Sequence, residues 1–196
     1  MPEVELPDPE ELEERRDKAF SRRVALTTAL YAVVLAIASL GGNNAMKDMV
    51  LAQQQSSDQW AFYQAKVIRE HLYRAQKLVM EAELADAAAA TRGARHEKLQ
   101  ALAARFAEEE KRYNAEKKDI EKDAKKLEHE RDLYRTKDPY FDYAEVLLQI
   151  AIVCASVSIL AASRPMFFFS LAIAILGAVS TLNGFLLFFR LGFLHH

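Results

Sequence analysis

Ala87-Ala88-Ala89-Ala90-Thr91-Arg92-Gly93-Ala94-Arg95 stands at the middle of a stretch, Asn43 to Asp138, that holds no proline and a single glycine, Gly93. The flanks are rich in Ala, Glu, Lys, Leu and Gln, residues that lose little rotamer freedom in a helix. The stretch predicts two long helices, from about 44 to 91 and from about 95 to 136, folded back at Thr91-Arg92-Gly93. At 1.5 Å per residue they would be roughly 72 and 63 Å long, so their far ends return to one level. Apolar runs flank both of those ends. Together these features predict a helical hairpin standing on a membrane.

Outward from the hairpin, Asp8-Pro9-Glu10-Glu11 has the chemistry of a helix start, with an Asp cap and Pro at the first helical position. Glu11–Arg15 and Glu14–Lys18, four apart, support the helix that follows. The next breakers are Gly41-Gly42, so one helix from Pro9 to about Leu40 is expected to carry a charged arm into a first span at Val24–Leu40. Arg15, Arg16, Lys18, Arg22 and Arg23 read either as a topology signal or as contacts to anionic lipid. A second span is expected at about Tyr143–Ala162 and a third at about Met166–Phe189, joined by a tight turn at Ser163-Arg164-Pro165. Inside a bilayer the backbone must satisfy itself, so all three are expected to be helices.

The fold class is therefore an all-α integral membrane protein with three transmembrane helices and a long antiparallel coiled-coil hairpin. Residues 1–23 form the charged arm, 24–42 the first span, 43–138 the hairpin with its turn near 91–95, and 139–196 the pair of C-terminal spans. Basic residues before the first span, and Arg164 in the second turn, predict a cytoplasmic N-terminus and an extracytoplasmic hairpin. Lys125, Lys126, Arg131, Arg135 and Lys137 pull the other way, but long loops translocate largely regardless of charge. The first apolar run begins only after the charged arm and reads as an uncleaved anchor.

Composition removes several function classes. A net charge of −2 offers no bulk attraction to nucleic acid. The single cysteine, Cys154, excludes an intramolecular disulfide. The sequence carries no Gly-rich phosphate loop, no CxxC, no HExxH and no histidine pair four apart; His71, His96 and His129 are scattered. No catalytic residue, metal ligand or cofactor is expected, and the chain does not read as an enzyme.

The second hairpin arm repeats every seven residues: Leu99, Phe106, Tyr113, Ile120, Leu127, Tyr134. That period predicts coiled-coil packing. The first arm offers Ala61, Ala65, Ile68, Leu72, Ala75, Val79, Ala82 and Ala89 at alternating spacings of four and three, broken once by Asp86. With a constant index sum of 188, Ala89 faces Leu99, Ala82 faces Phe106, Ala75 faces Tyr113, Ile68 faces Ile120 and Ala61 faces Leu127. Small then meets large at four of five layers, as interdigitation favours. A second stripe, Trp60, Tyr63, Val67, His71 and Leu78, is left for another surface. Two partners stay open for it: a second copy of the chain, or segments of its own. The polar run Gln53–Gln59 is either a solvated collar or the lining of a wet cavity.

Gly41-Gly42-Asn43-Asn44-Ala45, together with Trp60-Ala61-Phe62-Tyr63-Gln64-Ala65-Lys66 and Arg69, resembles a bacterial membrane-protein family known only as a domain of unknown function. The resemblance covers nearly the whole chain and implies a multi-pass protein of the bacterial inner (cytoplasmic) membrane. It implies no activity, cofactor or catalytic residue.

Small-residue seams lie in each span: Ala29, Ala32, Ala36 and Ser39; Ala151, Ala155, Ser158 and Ala162; Gly177, Ser180, Thr181 and Gly184. Asn183 is placed to hydrogen-bond between helices. At the mouth of the second span Asp142, Glu145 and Gln149 share one helical face. In a symmetric oligomer they would form stacked rings of the kind that attract cations. Two functions follow: a non-enzymatic homo-oligomeric membrane scaffold or interaction protein projecting the hairpin, and an oligomeric cation channel or transport component. The expected partners are the lipid bilayer and further copies of the chain.

Overall fold

A computed structural model describes residues 9–86 and 93–189. Three α-helices account for them: α1 (Pro9–Asp86), α2 (Ala94–Leu160) and α3 (Arg164–Leu186). There is no strand among the described residues. Each helix contains a stretch long and apolar enough to cross a membrane. The Asp8 cap, Ala89, Thr91 and Arg92 lie outside the described residues.

Two expected element boundaries lie inside continuous helices. α1 runs through Gly41-Gly42, and α2 runs through Asp138-Pro139. Glycine costs a helix only about 1 kcal/mol, and packing on both sides of the pair outweighs that. Proline removes one backbone hydrogen bond, but Tyr140 and Phe141 directly after it are buried and hold the helix on course.

Burial follows a seven-residue frame along both long helices. On α1 every seventh residue from Val24 (Val24, Tyr31, Ala38, Ala45, Ala52, Gln59, Lys66, Tyr73, Met80) is buried or half-buried. So is the companion series Thr28, Leu35, Gly42, Met49, Ser56, Tyr63, Glu70, Lys77, Leu84. On α2 the series that begins Leu99, Phe106, Tyr113 continues through Phe141 and Leu148 to Ala155.

The chain forms two compact units, residues 49–132 and the remainder. In the first, α1 and α2 lie side by side and antiparallel. Gln53 pairs with Arg131, Trp60 with Glu128, Lys66 with Glu116, Glu70 with Lys117, and Lys77 with Glu110. In the second, the core joins Val24, Tyr31 and Ala38 of α1 to Ala144, Leu148, Ala151 and Ala155 of α2 and Ala174 of α3. Hydroxyls there turn inward on their own helices: Thr28 donates to the Val24 carbonyl, Ser158 to Ala155, Ser170 to Phe167 and Thr181 to Gly177. Bonded in this way they pack as small apolar groups. The seams of α2 and α3 are largely buried, whereas Ala29, Ala32 and Ala36 of the first span point outward.

The turn between α2 and α3 comes slightly earlier than expected, at Ala161–Ser163, with Ala162 at φ 45°. α3 begins at Arg164 with Pro165 in its first turn, where the missing N–H costs nothing. It ends at Leu186, short of the expected Phe189, and Asn183 is the reason. The Asn183 side chain donates to the Phe189 carbonyl (2.9 Å) and accepts from the Phe189 N–H (2.8 Å), while its carbonyl accepts from the Leu187 N–H (2.8 Å). Asn183 closes the helix end rather than bridging two helices.

Candidate functional site

The three helices of the membrane-type unit converge on Phe141. The ring lies against Gly41 and Gly42 of α1, and against Gly184 and Phe185 of α3. A Cβ on Gly41 would lie 2.8 Å from Phe141 Cζ and 2.9 Å from Phe185 Cζ; one on Gly184 would lie 2.8 Å from Phe141 Cζ. Only glycine leaves room at both places. Phe141 and Phe185 meet edge to face, with centroids 4.9 Å apart. Beside them Tyr140 Oη donates to the Phe189 carbonyl (2.9 Å), and Ser180 Oγ donates to the Tyr140 carbonyl (2.8 Å). The residues read in sequence as helix breakers are therefore a socket. The signal for it was the coincidence of Gly41-Gly42 with a glycine near the end of the third span.

Of the acidic mouth, Glu145 lies beside this socket. Asp142 and Gln149 are exposed, while Glu145 is half-buried and leans on α1, its Oε1 3.9 Å from where a Gly42 Cβ would stand. The three groups do not share one open face. One turn earlier, burial and the neighbouring Asp142 carboxylate push the Asp138 carboxyl above its ordinary value. Among the described residues, no group of three or more His, Cys, Asp or Glu side chains is disposed to hold a metal ion.

In the paired arms, the second arm presents the expected face: Tyr113 is buried, and Leu99, Phe106, Ile120 and Leu127 are half-buried. The first arm presents the opposite of the expected face. Ala61, Ile68, Ala75 and Ala82 are exposed, Ile68 at 68%. Trp60, Tyr63 and Val67 instead turn toward α2, and Trp60 Nε1 donates to Glu128 at 2.9 Å; His71 and Leu78 stay outside. Charge decides the choice. The second arm carries Glu110, Lys117 and Arg131 in its seam, and the first-arm face that meets it supplies Lys77, Glu70 and Gln53. An alanine face would have left those charges unpaired in a half-buried groove.

Glu70 is the centre of this network. The residue is 6% exposed, and its carboxylate accepts from Lys117 Nζ and from Asn114 Nδ2 (2.8 Å). Lys117 holds its pKa below the ordinary glutamate value, against the opposing effect of burial. Tyr73 stacks on Tyr113 at 5.6 Å and 12° in the adjoining layer. The interhelical hydrogen bonds and ion pairs have index sums from 182 (Lys66–Glu116) to 188 (Trp60–Glu128). The register thus lies near the expected one even though the face does not.

Ile68, Leu72 and Val79 share the outward face of α1, with Phe62 and Leu78 to either side, and all five are more than half exposed. Beside this face lies a hollow of about 380 Å³ lined by Ala75, Gln76, Val79, Met80, Leu102 and Phe106.

The sequence profile of a family described as a domain of unknown function, DUF4337, matches residues 20–187, and the chain belongs to that family. No curated protein and no solved structure matches the chain.

Proposed function

We propose that this member of the DUF4337 family is a non-enzymatic, homo-oligomeric protein of the bacterial inner membrane. It crosses the bilayer three times, with its N-terminus in the cytoplasm, and holds a coiled-coil hairpin on the other side as a scaffold or interaction surface. The observation that carries the reading is the outward stripe Phe62–Ile68–Leu72–Val79 beside its apolar hollow. Contiguous exposed apolar surface of this kind marks an interaction site. A second copy is the simplest occupant, because the same stripe supplies the large side chains that the hollow lacks. Outward Leu26, Leu30, Val33 and Ile37 of α1, Val146, Ile150 and Val153 of α2, and Ile175, Leu176 and Val179 of α3 suit lipid. The seven-residue burial frame supports left-handed supercoiling of the arms.

Cysteine cross-linking in native membranes tests assembly. In a Cys154→Ser background, Ile68→Cys should give a disulfide-linked dimer on mild oxidation, and Lys118→Cys on the exposed side of the second arm should not. Equal cross-linking at both positions, or none at Ile68→Cys, would return the stripe to solvent. The cation-pathway alternative is the weaker one, because Glu145 leans on Gly42 while Asp142 and Gln149 face outward.

A further inference from the structure

At the end of the membrane-type unit opposite the Phe141 socket, α1 and α3 border an open cavity of about 540 Å³. Arg16, Ala19, Phe20 and Arg23 of α1 line it at positions i, i+3, i+4 and i+7, and Arg164, Phe167 and Phe168 of α3 complete it. Phe20 and Phe167 meet edge to face at 5.9 Å and join the hydrophobic core behind them, which gives the cavity an aromatic floor. Phe168, at 64% exposed, forms its open flank. None of the three guanidinium groups is engaged in an ion pair or hydrogen bond among the described residues, and the only side-chain bond to any of the three goes to the backbone, from Thr27 to the Arg23 carbonyl. Elsewhere in the chain, Arg74, Arg112 and Arg131 of the paired arms have carboxylate partners. Three free guanidinium groups around one hollow repel one another unless an anion joins them.

We propose that this cavity binds the headgroup of an anionic phospholipid, with Arg16, Arg23 and Arg164 holding the phosphate and Phe168 lying along an acyl chain. Guanidinium groups match phosphate oxygens in bidentate geometry. The N-terminus of α3, at Arg164, adds the positive end of a helix dipole. Two features select a lipid over a free anion. The floor and flank are apolar, which a free phosphate cannot use, and the volume is several times that of the ion. Arg23 and Arg164 also stand at the starts of two apolar stretches, the depth at which headgroups lie in a three-span arrangement. The inference rests on the membrane reading above.

The test uses the full chain reconstituted in nanodiscs of mixed phosphatidylglycerol and phosphatidylcholine, with retained lipids counted by native mass spectrometry. The wild type should retain phosphatidylglycerol preferentially. Each of Arg16→Gln, Arg23→Gln and Arg164→Gln should weaken that preference by about tenfold, the worth of one charge-assisted guanidinium–phosphate hydrogen bond made inside the cavity. Arg22→Gln, which removes an equal charge outside the cavity, should leave the preference unchanged. Equal losses in Arg22→Gln would reduce the effect to general surface charge and overturn the site. Displacement of the retained lipid by inorganic phosphate or glycerol 3-phosphate at millimolar concentration would make it a free-anion site and overturn the lipid assignment. Insertion into the mixed discs without any anionic preference would sink the site alone. Failure to insert into any disc would sink the membrane reading, and the site with it.

Discussion

Phe141 is the residue on which three helices agree, and its socket makes a sharp contrast among the glycines. Gly41→Ala would push a methyl group into the Phe141 and Phe185 rings, whereas nothing lies within 4 Å of a Cβ on Gly93. Gly41→Ala should therefore destabilise the protein in detergent by about 1–3 kcal/mol. Gly93→Ala should be neutral or slightly stabilising, by about 0.4–1 kcal/mol. Thermal unfolding of the two variants side by side measures the difference, and equal melting temperatures would refute the socket. Tyr31 gives a second residue-scale prediction. It is 4% exposed, and its hydroxyl has no hydrogen-bond partner among the described residues. Removing an unpartnered buried hydroxyl relieves its desolvation, so Tyr31→Phe should raise stability by about 1 kcal/mol. A loss of stability on that substitution would mean that the hydroxyl is bonded after all. At this scale the sequence was least legible. Gly41-Gly42 carries the same letters whether it ends a helix or admits a ring, and only Phe141, a hundred positions away, separates the two.

Element by element, the hairpin arms show which kinds of pattern can be read in advance. The second-arm stripe was legible because its large apolar residues repeat every seven positions without a gap. The matching first-arm face was not, because its seam includes Gln59, Lys66, Glu70 and Lys77. Ranking positions by apolarity selects Ala61–Ala82 instead, the side left outside. The inward face is chosen by pairing with Glu110, Glu116 and Lys117. It follows that Lys117→Ala, which leaves the Glu70 carboxylate buried with Asn114 alone, should cost about 2–4 kcal/mol. Lys118→Ala, one residue along on an exposed position, should cost little. The same pairs predict an acid response. Lys117 lowers the pKa of Glu70 and Lys66 that of Glu116, both from an ordinary 4.5. Groups depressed in the folded state contribute their stability above the unfolded value and lose it as pH falls through the folded one. Hydrogen exchange over residues 49–132 should therefore be steady near neutrality and accelerate below about pH 4.5 after correction for intrinsic rates. A profile flat to pH 3 would contradict the network.

For the whole molecule, the helical class and the three apolar stretches were legible from composition and length alone, as bilayer-scale runs usually are. Which face of α1 turns toward α2 was not legible, because two stripes competed for one partner helix and hydrophobicity favoured the wrong one. The surface left outside in α1 is the basis of the assembly reading, so the most direct test is mass. The full chain in nanodiscs or mild detergent should have the mass of a dimer or a larger closed assembly. Ile68→Glu combined with Val79→Glu should reduce it to a monomer with unchanged far-UV helicity, while Trp60→Ala should lower stability without changing the mass. A monomeric wild type at micromolar concentration, or an assembly unaffected by the paired glutamates, would contradict the account.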